Sequence, residues 1–217
     1  MKTKVGMSLL MTVLVGGSAI AQNRLETALS NIEPITPTET VETTETSSTI
    51  VEEKPEEKIE EPVAPKRWVG KNFTAQETQV LDFFQEQGIK DRMSLAVILG
   101  NIKQESRFHS NICEGGSRVV YERCYRGGYG LIQWTTTGRY DGLGRHARNT
   151  GGNPSTLSTQ LTYLVTEREW NMAKWRFVTP NKSLEFYMKG AYTWLGWGIY
   201  GNRGYYSQQY YNLLSFQ

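Results

Sequence analysis

Ile98 to Trp134 reads ILGNIKQESRFHSNICEGGSRVVYERCYRGGYGLIQW, and the fold of the chain turns on how this stretch is taken. Upstream and into it, Met93, Ala96, Val97, Gly100 and Gln104 recur at spacings of three and four, which predicts a helix carrying Glu105 at its C-terminal end. Ser106 and Phe108 begin the exit. A helix C-terminus bears partial negative charge, so an anionic carboxylate there is disfavoured and its pKa rises, more so if apolar neighbours bury it. A carboxyl kept protonated near neutral pH can donate a proton, and glycosidic cleavage needs such a donor beside the leaving oxygen. Taken alone, a Glu at a helix end is most often a solvated charge.

Its company changes that reading. Glu105-Ser106 is followed about 25 residues later by Gly130-Leu131-Ile132-Gln133, a pairing that resembles the E-S and G-L-M-Q motifs of lytic transglycosylases and goose-type lysozymes. NIKQESRF together with GGYGLIQW is similar, more closely still, to the phage tail lysozyme family. The resemblance runs from about Phe73 to Tyr211 and implies a lysozyme-like, mainly helical domain in which Glu105 is the proton donor. It also implies that the Gly-Leu-x-Gln segment lines the cleft, with Ser106, Tyr129 and Gln133 as substrate-binding candidates. A third family motif, Ala-Tyr-Asn, has a partial match in Ala191-Tyr192-Thr193, where Thr replaces the Asn. Tyr192 is thereby the candidate hydroxyl for orienting Glu105.

Charge divides the 217 residues. Residues 22–65 hold eleven Glu against Arg24, Lys54 and Lys58, whereas residues 66–217 hold nineteen Lys and Arg against eleven Asp and Glu. The overall +2 conceals a tail near −8 and a domain near +8. Before the tail, Lys2 and Lys4 precede the apolar run Val5 to Val15, and Ala19-Ile20-Ala21 supplies a small-residue cleavage site. Residues 1–21 thus read as a secretory signal peptide, too short for a comfortable membrane span of about 20 apolar residues. Residues 22–65 are rich in Thr, Glu and Pro and contain no aromatic residue, which is the composition of a disordered linker reaching roughly 40 Å as a coil. Residues 66–217 are expected, on the resemblance, to be a lysozyme-like catalytic domain.

Within that domain, Thr74 and Glu77 form a capping box, and the helix it opens ends near Gly88. The Glu105 helix starts near Asp91, and a short helix is expected from Arg139 to Arg148. One amphipathic helix is expected from Leu157 through about Trp170, on the spacing of Leu157, Leu161, Leu164 and Val165. Ser183 caps the next, and a last helix starts near Tyr205. Residues 118–121 and 129–133 could form a small β-hairpin beside the cleft. The expected class is α+β, mainly α-helical.

Cys113 and Cys124 bracket the loop between Glu105 and GLIQW; behind a signal peptide they read as a disulfide. With only His109 and His146 available, neither a metal nor another cofactor is expected. For a second carboxylate the candidates are Glu114, Glu122 and Asp141. Glu114, nine residues after Glu105, has a spacing that resembles the interval between the acid and the second carboxylate in phage-type lysozymes. Most of the six Trp residues belong to the core by default, with Trp134 the one assigned to the cleft. Tyr200, Tyr205 and Tyr206 either line one cleft wall or anchor a loop.

The resemblance, together with the export signal, implies an exported peptidoglycan-degrading muramidase, periplasmic or extracellular or carried on a virion, expected to act as a monomer on glycan strands. The rivals are a lytic transglycosylase and a non-catalytic wall-binding or virion-structural module. A nucleic-acid binder is disfavoured, because the basic residues are scattered over many elements and an export signal removes the chain from cytoplasmic nucleic acid.

Overall fold

A computed structural model describes residues 66–217 apart from Arg126 and Thr136, so the expected signal peptide and linker lie outside the described residues. Among the described residues are seven α-helices, one 3₁₀ turn (Tyr121–Arg123) and one two-stranded antiparallel sheet. In order they are β1 (Trp68–Gly70), α1 (Ala75–Glu86), α2 (Arg92–Ser106), α3 (Thr137–Thr150), α4 (Leu157–Leu164), α5 (Arg168–Val178), α6 (Leu184–Leu195), α7 (Arg203–Leu213) and β2 (Leu214–Phe216). No helix among them is long and apolar enough to cross a membrane.

The helix starts follow their caps. Thr74 Oγ1 accepts from the Glu77 N–H at 3.2 Å while Glu77 Oε2 accepts from the Thr74 N–H at 2.8 Å, a reciprocal box opening α1. Asp91 accepts from the Ser94 N–H at 2.9 Å to open α2, and Ser183 from the Phe186 N–H at 3.3 Å to open α6. From Leu95 to Ile102 every residue of α2 is buried, so α2 is the central helix, packed against α1, α5, α6 and α7. Below it, Trp170 lies 5.1 Å from Trp194 and 5.5 Å from Phe177, with Phe84 completing the cluster at 5.2 Å from Trp170. Truncating any of these rings to Ala should cost about 3–5 kcal/mol.

The contact of α2 with α7 depends on Gly100. A methyl group at this position would run into the backbone of Ser207, so only glycine lets the two helices approach this closely.

Two expectations need correction. The small sheet is not built from residues 118–121 and 129–133; it joins the two ends of the domain, with Trp68 opposite Phe216 and Gly70 opposite Leu214. The cleft segments make only isolated bridges, Ile112 with Arg118, Cys113 with Tyr129 and Tyr129 with Trp134, because turns and a 3₁₀ segment interrupt any longer ladder. The single helix expected from Leu157 to Trp170 is two helices. The break falls at Val165–Glu167: Glu167 takes an extended conformation, and its side chain is drawn into buried bonds with Arg139 and Trp134.

Candidate active site

Glu105 sits one residue before the end of α2, where Arg107 (φ 51°) and Phe108 (φ 65°) both take the left-handed conformation and turn the chain away. Its side chain, 15 % exposed, opens into a cleft of about 620 Å³. One wall is helical. Arg203, the first residue of α7, places Nη2 2.8 Å from Glu105 Oε1, and its guanidinium lies 4.5 Å from the centre of the Trp197 ring. Beside it, the Asn202 N–H donates to Gln104 Oε1 at 2.9 Å, so neighbouring residues of the α6–α7 loop and α7 hold neighbouring residues of α2. Trp197 and Ile199, from the same loop, line the cleft.

Burial raises the Glu105 pKa above the usual carboxylate range, while Arg203, and more weakly Arg139, draw it back down. The direction agrees with the expectation from the sequence. The cause is burial among neighbours, tempered by a cation that the sequence did not announce. For Arg203 the same burial lowers the pKa of a group whose ordinary value is far above neutral.

The opposite wall is made of loop. Glu114 Oε2 accepts from the Gly128 N–H at 3.1 Å, and the Glu114 N–H donates to the Gly128 carbonyl at 2.8 Å, which pins the carboxylate across the cleft from α2. The Cys113–Cys124 disulfide, with Cα atoms 5.6 Å apart, closes this loop. Gln133 also lines the cleft; at φ 54° its backbone is left-handed, and its Nε2 donates to the Gly130 carbonyl at 3.0 Å. Behind the wall, fully buried Gln160 accepts from the Leu131 N–H at 2.8 Å and donates to the carbonyls of Ser110 and Pro154, each at 2.7 Å. Gly130 has φ +72°, and a Cβ there would meet the Gln160 amide, so glycine is required on both counts.

The remaining candidates divide sharply. Glu105, Glu114 and Gln133 share the cleft. Ser106 is buried and donates its hydroxyl to the Leu131 carbonyl at 2.7 Å, tying the end of α2 to the GLIQ segment. Tyr129 is wholly buried, with its hydroxyl 2.8 Å from Ser155 Oγ. Trp134 belongs to the core and not to the cleft. Its indole N–H donates at 3.0 Å to Glu167, whose buried charge is matched by a bidentate Arg139 at 2.7 and 2.8 Å. Tyr192 is exposed and packs edge-on to Trp197; the group bonded to Glu105 is Arg203. Glu122, Asp141, Tyr200 and Tyr205 are exposed and do not line the cleft.

Arg203, Trp197, Ile199, Thr135 and Gln104 were not picked out from the sequence, although all reach the cleft. The available signal was a lone Arg in the aromatic and glycine-rich run Tyr200 to Tyr206, which no spacing rule distinguishes from a surface charge.

Cleft volume does not identify the site. A groove of about 590 Å³ between α1 and α4 is nearly as large, but its acidic residues, Asp82 and Glu86, lie on the solvent side of α1, with Asp82 paired to Arg67. Among the described residues no cluster of His, Cys, Asp and Glu could hold a metal ion.

No curated protein matches the chain. The family model described as phage tail lysozyme matches residues 75–214, from the first helix to the last strand. The match contains both cleft walls, so the chain belongs to the phage tail lysozyme family, and this membership supports a peptidoglycan-degrading, lysozyme-like function.

Proposed function

We propose that the protein is a muramidase that hydrolyses the bond between N-acetylmuramic acid and N-acetylglucosamine in peptidoglycan, with Glu105 as general acid. The observation that carries this reading is a buried, pKa-raised carboxyl opening into a cleft that a second carboxylate shares. Glu105 gives its proton to the glycosidic oxygen as the bond from that oxygen to the anomeric carbon breaks. Water attacks the anomeric carbon and passes a proton to Glu114, which the Gly128 amide holds in place. Gln133, whose Nε2 is engaged with backbone, offers Oε1 to a sugar hydroxyl. Ser106, Tyr129 and Trp134 act from behind, fixing the wall that the sugar meets, while Tyr192 supports Trp197 at the rim. No cofactor takes part.

Residues 1–21 export the chain, 22–65 tether it, and 66–217 act on the wall outside the cytoplasm. The Cys113–Cys124 bond suits an oxidising compartment of that kind.

Mass analysis of the products from purified peptidoglycan tests the reading. Hydrolysis gives reducing ends, each one water heavier than a 1,6-anhydro end, and Glu114→Gln should lose at least about tenfold in rate. Exclusively anhydro products with an unaffected Glu114→Gln would make this a lytic transglycosylase acting through the muramic acid C6 hydroxyl. Absence of any product would leave a wall-binding module.

A further inference from the structure

We propose that Arg203 is the positioning residue of this site: from the start of α7 it grips the Glu105 carboxyl at the end of α2 and holds it facing the cleft. The proposal rests on the reading of Glu105 as proton donor. Three observations carry it. The Nη2 to Oε1 contact is 2.8 Å, and Arg203 is 4 % exposed, so the pair is shielded from solvent screening. The guanidinium has little freedom to swing away, since it lies against the Trp197 ring and its Nη1 approaches the Asn101 carbonyl at 3.5 Å. The helix that carries it is fixed to α2 at two points, by the close Gly100–Ser207 approach and by the Asn202 to Gln104 bond.

Core stability does not account for this arrangement. Arg203 Nε is buried without an acceptor among the described residues, and an incompletely satisfied buried cation adds little to folding stability, so the reason for its place lies in what the charge faces. What it faces is Glu105, and the other charged groups facing that carboxyl are few. Arg139 acts from α3 at longer range, and Glu114 lies across the cleft on the loop wall. Arg203 therefore restrains the upward pull of burial on Glu105.

The sign of the consequence is fixed. A general acid works while protonated, so kcat/KM falls as pH climbs past the pKa of Glu105. Removing the Arg203 cation lets burial act with less opposition, raises that pKa and moves the alkaline limb of the profile to higher pH. An Arg203 that only filled space would lower the plateau and leave the limb where it was.

The test is kcat/KM against pH for the full chain on soluble peptidoglycan strands at fixed ionic strength, comparing wild type, Arg203→Lys and Arg203→Gln. The limb should move up by about one pH unit in Arg203→Gln, with a plateau about tenfold lower. Arg203→Lys, which keeps the charge without the planar fork, should fall between the two in both respects. Limb position does not depend on how much of a sample is folded, so partial misfolding leaves the result readable. Should Arg203→Gln not fold at all, a carbon-13 titration of the Glu105 carboxyl in Arg203→Lys decides, an upward shift being expected. An unmoved limb in Arg203→Gln, or an unmoved titration in Arg203→Lys, overturns the role of Arg203. Glu105→Gln separates the two levels: near-normal activity there defeats the proton-donor reading itself, whereas an inactive Glu105→Gln beside an unmoved limb defeats only the role given to Arg203.

Discussion

The two walls of the cleft are held by different physics. On the helical wall, Glu105 projects from a helix whose middle is fully buried, and other elements fix its end: Arg203 by charge and the Asn202 N–H by its bond to Gln104. On the loop wall, Glu114 and Gln133 sit on backbone with little regular structure, held by hydrogen bonds from the Gly128 N–H and to the Gly130 carbonyl, and by one disulfide. The first wall should resist anything short of unfolding the core. The second depends on a ring closed by Cys113 and Cys124, so oxidation state reaches one wall and not the other.

The largest expected effect lies on the helical wall. Glu105→Gln keeps the shape and removes the acid, so the rate should fall by at least about a hundredfold, the low end for loss of a general acid, and Tm should fall too, because buried Arg203 loses its anionic partner. Wall-clearing assays beside a thermal melt check both halves, and near-normal clearing would defeat the assignment. On the loop wall, reducing the disulfide should destabilise the domain by about 3 kcal/mol through the freed unfolded chain. The comparison sharpens if hydrogen exchange after reduction rises across residues 113–134 while α2 stays protected. Equal loss in both would show that the walls are one cooperative unit.

The smallest effect is expected outside both walls. A chain starting at Lys66 should melt cooperatively at nearly the wild-type temperature and stay active on soluble wall fragments, because β1 is retained and pairs with β2. A lost cooperative transition would mean that residues 22–65 contribute to the core.

What could be read in the sequence was local. The caps at Thr74 and Ser183 were legible because a cap is decided within four residues, and the place of Glu105 near the end of a helix was legible from the helix period. What could not be read depends on distant partners. The β1–β2 pairing joins residues nearly the whole domain apart, and nothing in either short strand names the other. Helices α4 and α5 merged into one because the apolar spacing runs on through Val165, while the reason for the break, the Glu167 carboxylate, lies in its bonds to Arg139 and Trp134. Trp134 and Tyr129 follow the same logic. An aromatic beside a glycine-rich turn has the same local signature whether it faces a sugar or a core, and only the distant acceptors, buried Glu167 and half-buried Ser155, decide.

The order in which the chain is made has its own consequence here. Glu105 is nearly a hundred residues old, in ribosomal time, before Arg203 emerges to pair with it, and the face of α2 around Gly100 stays uncovered until Ser207 arrives. A nascent or clipped chain ending before Asn202 therefore carries the Glu105-Ser106 and GLIQ motifs, yet lacks the helix that completes the helical wall. The helical wall is finished last, so a chain cut short of Asn202 should act poorly on peptidoglycan although Glu105 and the GLIQ segment are both present.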